Sequence, residues 1–284
     1  MTLQFLRIPP RAVKCTLGTR TPNLKRMNGS DVPWTLERDD YSFERVVAMK
    51  GSTSIAVIVP AQNEAATIGA VLDAVRQSGS LVDDLVVVDD HSNDDTATVA
   101  VHHRARVVKL RGASGKGEAM AAGLAATNAE LIVYLDADVL TPLGDFVPRL
   151  VQPLLSDQEI QLVKGFYERP LHNMPTGGGR VNELAARPIL SLLYPGLGEI
   201  RQPLAGETAG RREALNAVEF EPAYGVEIAL LIDIARKFGV RSLAQVDLGV
   251  RRHRNRPLEE LRPMAVDVLR AALARYAVEL PPRD

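Results

Sequence analysis

The most constraining feature of this 284-residue sequence is a regular alternation of strand and helix signals between residues 55 and 135. Apolar, β-branched runs at 55–60, 85–89, 106–110 and 131–135 are separated by segments with the spacing of amphipathic helices. Consecutive parallel strands need crossover connections, and the helices that make them cover both faces of a sheet. The alternation therefore predicts an α/β fold with a mostly parallel sheet and helices on both faces.

The predicted helices between these strands span residues 65–77 and 116–127, and a third ends near Val101 after an N-cap at Asp94 or Asp95. Beyond residue 153 the order is less regular. There we predict strands at 161–167 and 243–250, and helices near 181–193, 225–238 and 258–276.

The first thirty residues differ from the rest, because they carry six basic and no acidic residues and show no sustained periodicity. They contain no continuous apolar stretch of the kind found in secretory signals, so we expect a disordered tail. Acidic residues begin at Asp31, and the globular pattern begins near Ile55.

Composition limits the classes of partner. The formal net charge of −1 argues against binding to nucleic acid, which needs a net basic surface. The single cysteine, Cys15, excludes an internal disulfide framework and a multi-cysteine zinc site. No apolar run approaches the roughly 20 residues that span a bilayer, so we expect a cytoplasmic protein without a membrane partner.

Polar side chains follow three of the predicted strands. Glu64 follows the first, Asp89 ends the second, and Asp136 and Asp138 follow the fourth. Because ligands of open parallel sheets bind beyond the carboxyl ends of the strands, we expect these groups to share one site. Carboxylates suit Mg²⁺ or Mn²⁺, which keeps several waters and shares a diphosphate with few protein ligands.

Two other phosphate-binding folds do not fit these loops. A dinucleotide-binding Rossmann fold needs a glycine-rich turn after the first strand, where this chain has residues 61–64, Ala-Gln-Asn-Glu. Residues 112–117 imitate a P-loop, but Gly117 stands where a Mg²⁺-binding Ser or Thr is required.

The strand-end motifs resemble those of GT-A nucleotide-sugar glycosyltransferases. The motifs that carry this likeness are VPAxNE (59–64), VDDxSxDDT (88–96), GKG (115–117) and DAD (136–138). Motifs of the second half, QLVKGFY (161–167), TGGGRV (176–181), QPLAGE (202–207), YGVEI (224–228) and DLGVRRHRNRP (247–257), resemble the glucosyl-3-phosphoglycerate synthase family and the related mannosyl-3-phosphoglycerate synthases.

The resemblance implies transfer of a hexose, with retention, from a UDP- or GDP-linked sugar to the 2-hydroxyl of 3-phosphoglycerate. It implies Mg²⁺ or Mn²⁺ as cofactor and a homodimer. We expect three parts of the chain: an N-terminal extension (1–50), a nucleotide-sugar-binding half (51–160) and an acceptor-binding half (161–284) of the same globular unit. Departures at His91, Asn182 and Ala205 from the pattern expected of the glucosyl enzymes leave glucose and mannose open, with glucose favoured.

Residue roles are carried over by position. The resemblance implies that Pro60, Glu64, Asp89, Ser92, Lys116 and Asp136 bind the nucleotide, that Leu204, Tyr224 and Glu227 surround the donor sugar, that Gly179, Arg180 and Asn182 face the acceptor, and that Asp138 and His253 bind the metal. We expect Asp138 and Glu227 to serve catalysis, and the basic run from Arg251 to Arg256 to face phosphates.

Several alternatives stay open at this stage. Retention is consistent with a double displacement or with a front-face substitution. An inverting or polyprenyl-phosphate sugar transferase of the same fold, or a nucleotide-sugar binder without turnover, would share the first-half motifs.

Overall fold

The computed structural model describes residues 33–139, 144–168, 170–171, 174–177, 179–251 and 257–276. Its strands are β1 (Trp34–Leu36), β2 (Ile55–Ala61), β3 (Asp84–Asp89), β4 (Arg106–Lys109), β5 (Leu131–Tyr134), β6 (Leu162–Glu168), β7 (Pro170–Leu171), β8 (Met174–Gly177), β9 (Thr208–Arg211) and β10 (Leu243–Val250). The α-helices are α1 (Phe43–Lys50), α2 (Ile68–Arg76), α3 (Thr96–His102), α4 (Lys116–Ala125), α5 (Phe146–Ser156), α6 (Arg187–Leu193), α7 (Arg212–Asn216), α8 (Val226–Phe238) and α9 (Leu258–Arg275).

Eight of these strands form one sheet in the order β1-β10-β6-β9-β5-β2-β3-β4. Within it, β9 runs antiparallel to both of its neighbours, β5 and β6, and the other pairs are parallel. The predicted α/β fold with a mostly parallel sheet is confirmed, and β9 is an element that the sequence pattern did not reveal.

Two hydrophobic clusters lie on opposite faces of the sheet. Side chains alternate along β2, so Val57 and Val59 join the cluster beneath α2 and α5, whereas Ile58 joins the one beneath α4 and α8. Burial on both faces explains why β2 reads as a continuous apolar run. The two clusters hold the ends of β2 and β5 in fixed positions beneath the site.

Several predicted boundaries shift in the structure. The helix predicted from residue 65 begins at Ile68, because Glu64 first forms a turn whose carbonyl accepts the amides of Thr67 and Ile68. The helix predicted at 181–193 contains a π-helical turn over Asn182–Ala186 before α6. Such turns are frequent at functional sites.

The chain joins the globular fold earlier than residue 55. β1 pairs in parallel with β10, Leu36 and Val46 are buried, and the side chain of Arg149 donates to the carbonyl of Arg38 at 3.0 Å. A three-residue strand and a helix rich in charge give weak periodicity, which is why the pattern placed residues 34–50 in an extension. Within the part of the chain that the structure describes, no helix has the length and apolarity needed to cross a membrane.

Candidate active site

A cavity of about 470 Å³ opens at the sheet edge where β2 and β5 end and β9 begins. Residues that precede β9, the start of α4, the start of α8 and one face of α9 complete its walls. It therefore lies where the strand-end carboxylates were expected to converge.

The cavity brings together most of the site residues predicted from the sequence. Its lining includes Pro60, Glu64, Lys116, Asp136, Asp138, Gly179, Arg180, Asn182, Leu204, Tyr224 and Glu227. Residues from both halves of the chain thus meet in one site, although nearly 170 positions separate Pro60 from Glu227.

Two predicted residues are placed differently, and a third lies outside the described residues. Asp89 and Ser92 are not among the described residues that line the cavity: the Asp89 carboxylate accepts the Ser92 amide at 3.2 Å, and the Ser92 hydroxyl accepts the Asn63 amide at 3.0 Å. They shape the loop after β3. His253, the second predicted metal ligand, lies outside the described residues.

Asp90, rather than its neighbour Asp89, contributes a carboxylate to the cavity wall. Its Oδ2 accepts the Gly115 amide at 3.0 Å and its Oδ1 lies 2.9 Å from Nδ1 of His91. The side chain ties the loop after β3 to the start of α4. The sequence signal was present, since Asp90 directly follows a strand, but one residue decides which way a side chain points.

Lys116 bridges two carboxylates at the floor of the site. Its Nζ lies 2.7 Å from Asp136 Oδ1 and 2.6 Å from Glu227 Oε1, and all three side chains are largely buried. Burial alone would lower the pKa of Lys116, but Asp136 and Glu227 outweigh it and hold that pKa above its ordinary value. Lys116 is therefore a permanent cation between the two halves of the site.

Arg251 is a site residue whose place the sequence did not reveal. It is the first residue after β10, its side chain is 2% exposed, and its Nη2 lies 2.9 Å from Asp136 Oδ2 and 3.2 Å from Asp138 Oδ1. We expected the basic run that it begins to face phosphates, whereas the described structure turns Arg251 inward to the aspartates. Burial alone would raise the pKa of Asp136, but Lys116 and Arg251 hold it well below its usual value.

Glu207 and Tyr167 contact the other terminal nitrogen of Arg251, Nη1, and hold the side chain in position. Nη1 of Arg251 lies 3.0 Å from Glu207 Oε2 and donates to the Tyr167 hydroxyl at 2.6 Å. The guanidinium also lies 5.2 Å from the centre of the Tyr167 ring. Because Glu207 is fully buried, the anchor of this arginine is a fixed part of the core.

A buried lysine holds the segment before β9, residues 201–207, in position. Nζ of Lys164, on β6, donates to the Ala205 carbonyl at 2.6 Å and to the Thr208 hydroxyl at 2.8 Å. Burial lowers the pKa of Lys164 to about 8. These two hydrogen bonds of Lys164 fix the turn that contains Leu204 and Gly206.

Gly206 packs directly against the carboxylate of Asp136. A Cβ atom at this position would lie 2.1 Å from Asp136 Oδ1 and 2.3 Å from its Cγ, closer than non-bonded atoms can approach. The absence of a side chain at residue 206 is therefore a condition for the observed position of Asp136.

Asn182 connects the acceptor side of the cavity to the segment before β9. Its Nδ2 donates to the Arg201 carbonyl at 3.3 Å and to Glu183 Oε1 at 2.9 Å, and its Oδ1 accepts the Leu204 amide at 3.5 Å. Asn182 thus lines the cavity and also orients the backbone beside Leu204.

Asp136 and Asp138 offer the donor set that suits a hard divalent cation. Asp138 is 31% exposed toward the cavity, and Arg251 already places a positive charge between the two carboxylates. Among the described residues, no group of three or more His, Cys, Asp or Glu side chains is arranged around a common point. A Mg²⁺ or Mn²⁺ ion shared with a diphosphate keeps several waters and is usually held by one or two carboxylates.

Comparison with known proteins indicates a glycosyltransferase. Residues 56–214 match the model of glycosyl transferase family 2. The chain is 45% identical over 263 residues to glucosyl-3-phosphoglycerate synthase of Mycobacterium tuberculosis, covering 87% of this chain and 81% of the relative. It is 42% identical over 241 residues to the enzyme of that name from Petrotoga mobilis, covering 80% of this chain and 74% of the relative.

Solved structures of the M. tuberculosis enzyme superpose on this chain. Its complex with Mn²⁺, UDP-glucose and phosphoglyceric acid gives a TM-score of 0.81 at 44% identity, covering 87% of this chain and 88% of that one. Its complex with Mn²⁺, UDP and glucosyl-3-phosphoglycerate gives a TM-score of 0.80 at the same identity and coverage. By sequence, fold and the position of its cavity, the chain belongs to glycosyl transferase family 2 and, within it, to the glucosyl-3-phosphoglycerate synthases.

Proposed function

We propose that this protein transfers glucose from UDP-glucose to the 2-hydroxyl of 3-phosphoglycerate, giving glucosyl-3-phosphoglycerate and UDP. The observation that carries the proposal is the convergence of Asp136, Asp138, Arg180 and Glu227 on one cavity. The relatives support the choice of substrates, since the similar solved structures hold UDP-glucose, phosphoglyceric acid and the glucosylated product.

The donor side of the site lies along the ends of β2 and β5. Pro60, Glu64 and Lys116 line the part where the nucleotide would bind, and Asp136 lies beside them. Asp89 and Ser92 support this part through the loop after β3. Leu204, Tyr224 and Glu227 form the next part of the wall, which we assign to the glucose.

Asp138, with Asp136 beside it and His253 as the predicted second ligand, would hold the Mg²⁺ or Mn²⁺ ion. When bound, the ion neutralises charge on the diphosphate leaving group. The similar solved structures contain Mn²⁺ or Mg²⁺ together with UDP or UDP-glucose, which supports this assignment.

The acceptor side is the start of the helical segment after β8. Gly179 has a φ of +72°, a conformation that glycine adopts without strain, and both Gly179 and Arg180 line the cavity. A guanidinium at the first turn of a helix suits the phosphate of 3-phosphoglycerate. Asn182 would then position the acceptor and Leu204 relative to each other.

Glu227 would contact the sugar as a carboxylate paired with Lys116 rather than as an isolated base. This pairing suits a hydrogen bond to a glucose hydroxyl, and we propose transfer with retention at the anomeric carbon. A double displacement would need a carboxylate placed against that carbon, whereas a front-face substitution would not. We also propose, from the family, a homodimer that works in the cytoplasm, and light scattering of the purified protein tests the dimer.

The test is an assay of product formation from a matrix of UDP-, GDP- and ADP-linked glucose and mannose with 3-phosphoglycerate and related acceptors. UDP-glucose with 3-phosphoglycerate and Mg²⁺ is expected to give the highest kcat/KM, and EDTA is expected to abolish the transfer. A preference for GDP-mannose would favour the mannosyl enzymes. Transfer to polyprenyl phosphate, or tight binding of UDP-glucose without release of UDP, would contradict the proposal.

Replacing Arg180 by Ala is expected to raise the KM for 3-phosphoglycerate by about tenfold or more, because a hydrogen bond to a charged group contributes about 1.5–3 kcal/mol. The KM for UDP-glucose should change little, since Arg180 lies on the acceptor side. Initial-rate kinetics with each substrate varied would measure both values. Arg187→Ala, which removes an exposed arginine paired with Glu183 further along the same helical segment, is the matched control. Equal effects of Arg180→Ala on both substrates would argue against the assignment.

A further inference from the structure

The carboxylates that would hold the metal ion are already paired with an internal cation. One nitrogen of Arg251, Nη2, contacts both Asp136 and Asp138, at 2.9 and 3.2 Å. A divalent ion bound by Asp138 would therefore approach a positive charge that contacts the same carboxylate. Its binding must compete with this contact.

Arg251 has little freedom to leave. Its other terminal nitrogen, Nη1, contacts Glu207 and Tyr167 at 3.0 and 2.6 Å, and the side chain is 2% exposed. Moving the guanidinium outward would strand the fully buried carboxylate of Glu207, which is costly. The charge of Arg251 therefore stays near Asp138 whether or not an ion arrives.

Charged side chains surround Asp136 and Asp138 before any ligand binds. Ion pairs link the carboxylates of Asp136, Asp138, Glu207 and Glu227 to two cations, Lys116 and Arg251, and Glu64, Asp90 and Arg180 also line the cavity. An ion on Asp138 is repelled by Arg251, which contacts the same side chain. An ion that arrives with a diphosphate brings negative charge that offsets this repulsion, so the position of Arg251 favours the joint arrival of metal and nucleotide.

We propose that Arg251 acts as an internal substitute for the divalent ion, so that the metal binds weakly by itself and tightly only together with the nucleoside diphosphate. Arg251 is a positioning residue in this scheme: it keeps Asp136 and Asp138 in place in the ligand-free enzyme and sets the coupling between the two ligands. By reciprocity, the metal raises the affinity for UDP by the same factor as UDP raises that for the metal. The inference rests on the proposed function, since it takes Asp138 as a metal ligand.

The test measures Mn²⁺ binding directly, by electron paramagnetic resonance of free Mn²⁺, with and without UDP and without any sugar transfer. In the wild-type protein, UDP is expected to lower the Kd of Mn²⁺ markedly. In Arg251→Gln, Mn²⁺ alone is expected to bind about tenfold tighter or more than in the wild type, because a positive charge close to the ion is removed. The gain from UDP should shrink correspondingly.

A second variant controls for misfolding of Arg251→Gln. Glu207→Gln with Arg251→Gln removes both members of the buried pair, leaves no charge stranded, and is expected to show the same tighter binding of Mn²⁺. Arg149→Gln is the matched control, because Arg149 is a buried arginine on α5 that pairs with Asp145 and is not among the described residues that line the cavity. This variant should leave Mn²⁺ binding unchanged.

The outcomes separate this inference from the proposed function. A general loss of structure would weaken Mn²⁺ binding, so tighter binding in a variant supports the inference and cannot arise from damage. Unchanged or weaker binding of Mn²⁺ alone in both folded Arg251 variants, with UDP coupling intact, would overturn the inference and leave the function standing. A wild-type protein that binds Mn²⁺ neither alone nor with UDP would overturn the metal-dependent function itself.

Discussion

Replacing Lys116 by Met is expected to lower the free energy of unfolding by about 3–5 kcal/mol at neutral pH, because it leaves two buried carboxylates without their shared cation. Methionine keeps the length and most of the apolar contacts of the lysine stem, so the loss reports mainly on charge. Asp136 would keep its contact with Arg251, whereas Glu227 would lose the ion pair at 2.6 Å. Urea-induced unfolding at pH 7 would measure the difference.

The deficit of the Lys116→Met variant should shrink as the pH falls. In the wild type, the lowered pKa of Asp136 contributes stability that is present above the usual value of 3.8 and is lost as pH falls below it. Lys116, whose pKa is raised, stays charged across this range. Without Lys116, the pKa of Asp136 rises. Asp136 of the variant is therefore protonated at a higher pH than in the wild type, and protonation removes its uncompensated charge. Unfolding curves at pH 7 and at about pH 3, below the usual pKa of Asp136, would show the two proteins converging.

Lys50→Met is the matched control for this prediction. Lys50 pairs with Asp83 at 3.0 Å, but Asp83 is 44% exposed, and such surface pairs contribute about 0–1 kcal/mol. Lys116→Met should therefore cost several times more than Lys50→Met. Equal effects, or a deficit that grows toward acid pH, would contradict the charge network described for the site.

Replacing Gly206 by Ala is expected to lower kcat/KM by about 100-fold or more, because a displacement of about 1 Å in a group that positions the substrate can cost that factor. The added Cβ would overlap the carboxylate of Asp136, so the carboxylate must move away from the segment before β9. That movement would lengthen its contacts with both Lys116 and Arg251. Initial-rate kinetics with UDP-glucose and 3-phosphoglycerate would measure the loss.

Gly144→Ala provides the control for an added methyl group. The nearest atom to a Cβ at residue 144 is Oε1 of Gln77, at 2.7 Å, the end of a flexible side chain that can turn away. We expect this variant to keep its activity. A Gly206→Ala enzyme with wild-type kcat/KM would show that the position of Asp136 is not decisive.

The sequence was most informative at the ends of parallel strands. Glu64, Asp136 and Asp138 follow strands that point to the cavity, and a rule about carboxyl ends was enough to group them. The segment before β9 escaped that rule, because β9 is antiparallel and presents its beginning, not its end, to the site. Leu204 was therefore assigned by resemblance, and the contact of Gly206 with Asp136 was not foreseen.

Arg251 shows a second limit of reasoning from sequence. A run of basic residues is usually a solvated or ligand-facing surface, and nothing in its order marks one member as buried. The inward turn depends on Glu207 and Tyr167, which lie 44 and 84 positions away along the chain. Pairings over such distances are set by tertiary packing, which periodicity does not encode.

The position of β9 also constrains how the protein can be assembled during synthesis. β9 joins β5 to β6 and so connects the two groups of parallel strands in the sheet. A nascent chain that stops before residue 208 can pair β5 with β2, but the other edge of β5 stays open, and β6 lacks both β9 and β10. Open, apolar edges invite pairing with other chains. Emergence of four residues, Thr208–Arg211, from the ribosome therefore closes the open edge of β5 and joins it to β6, before Glu227 and Arg251 of the active site have been made.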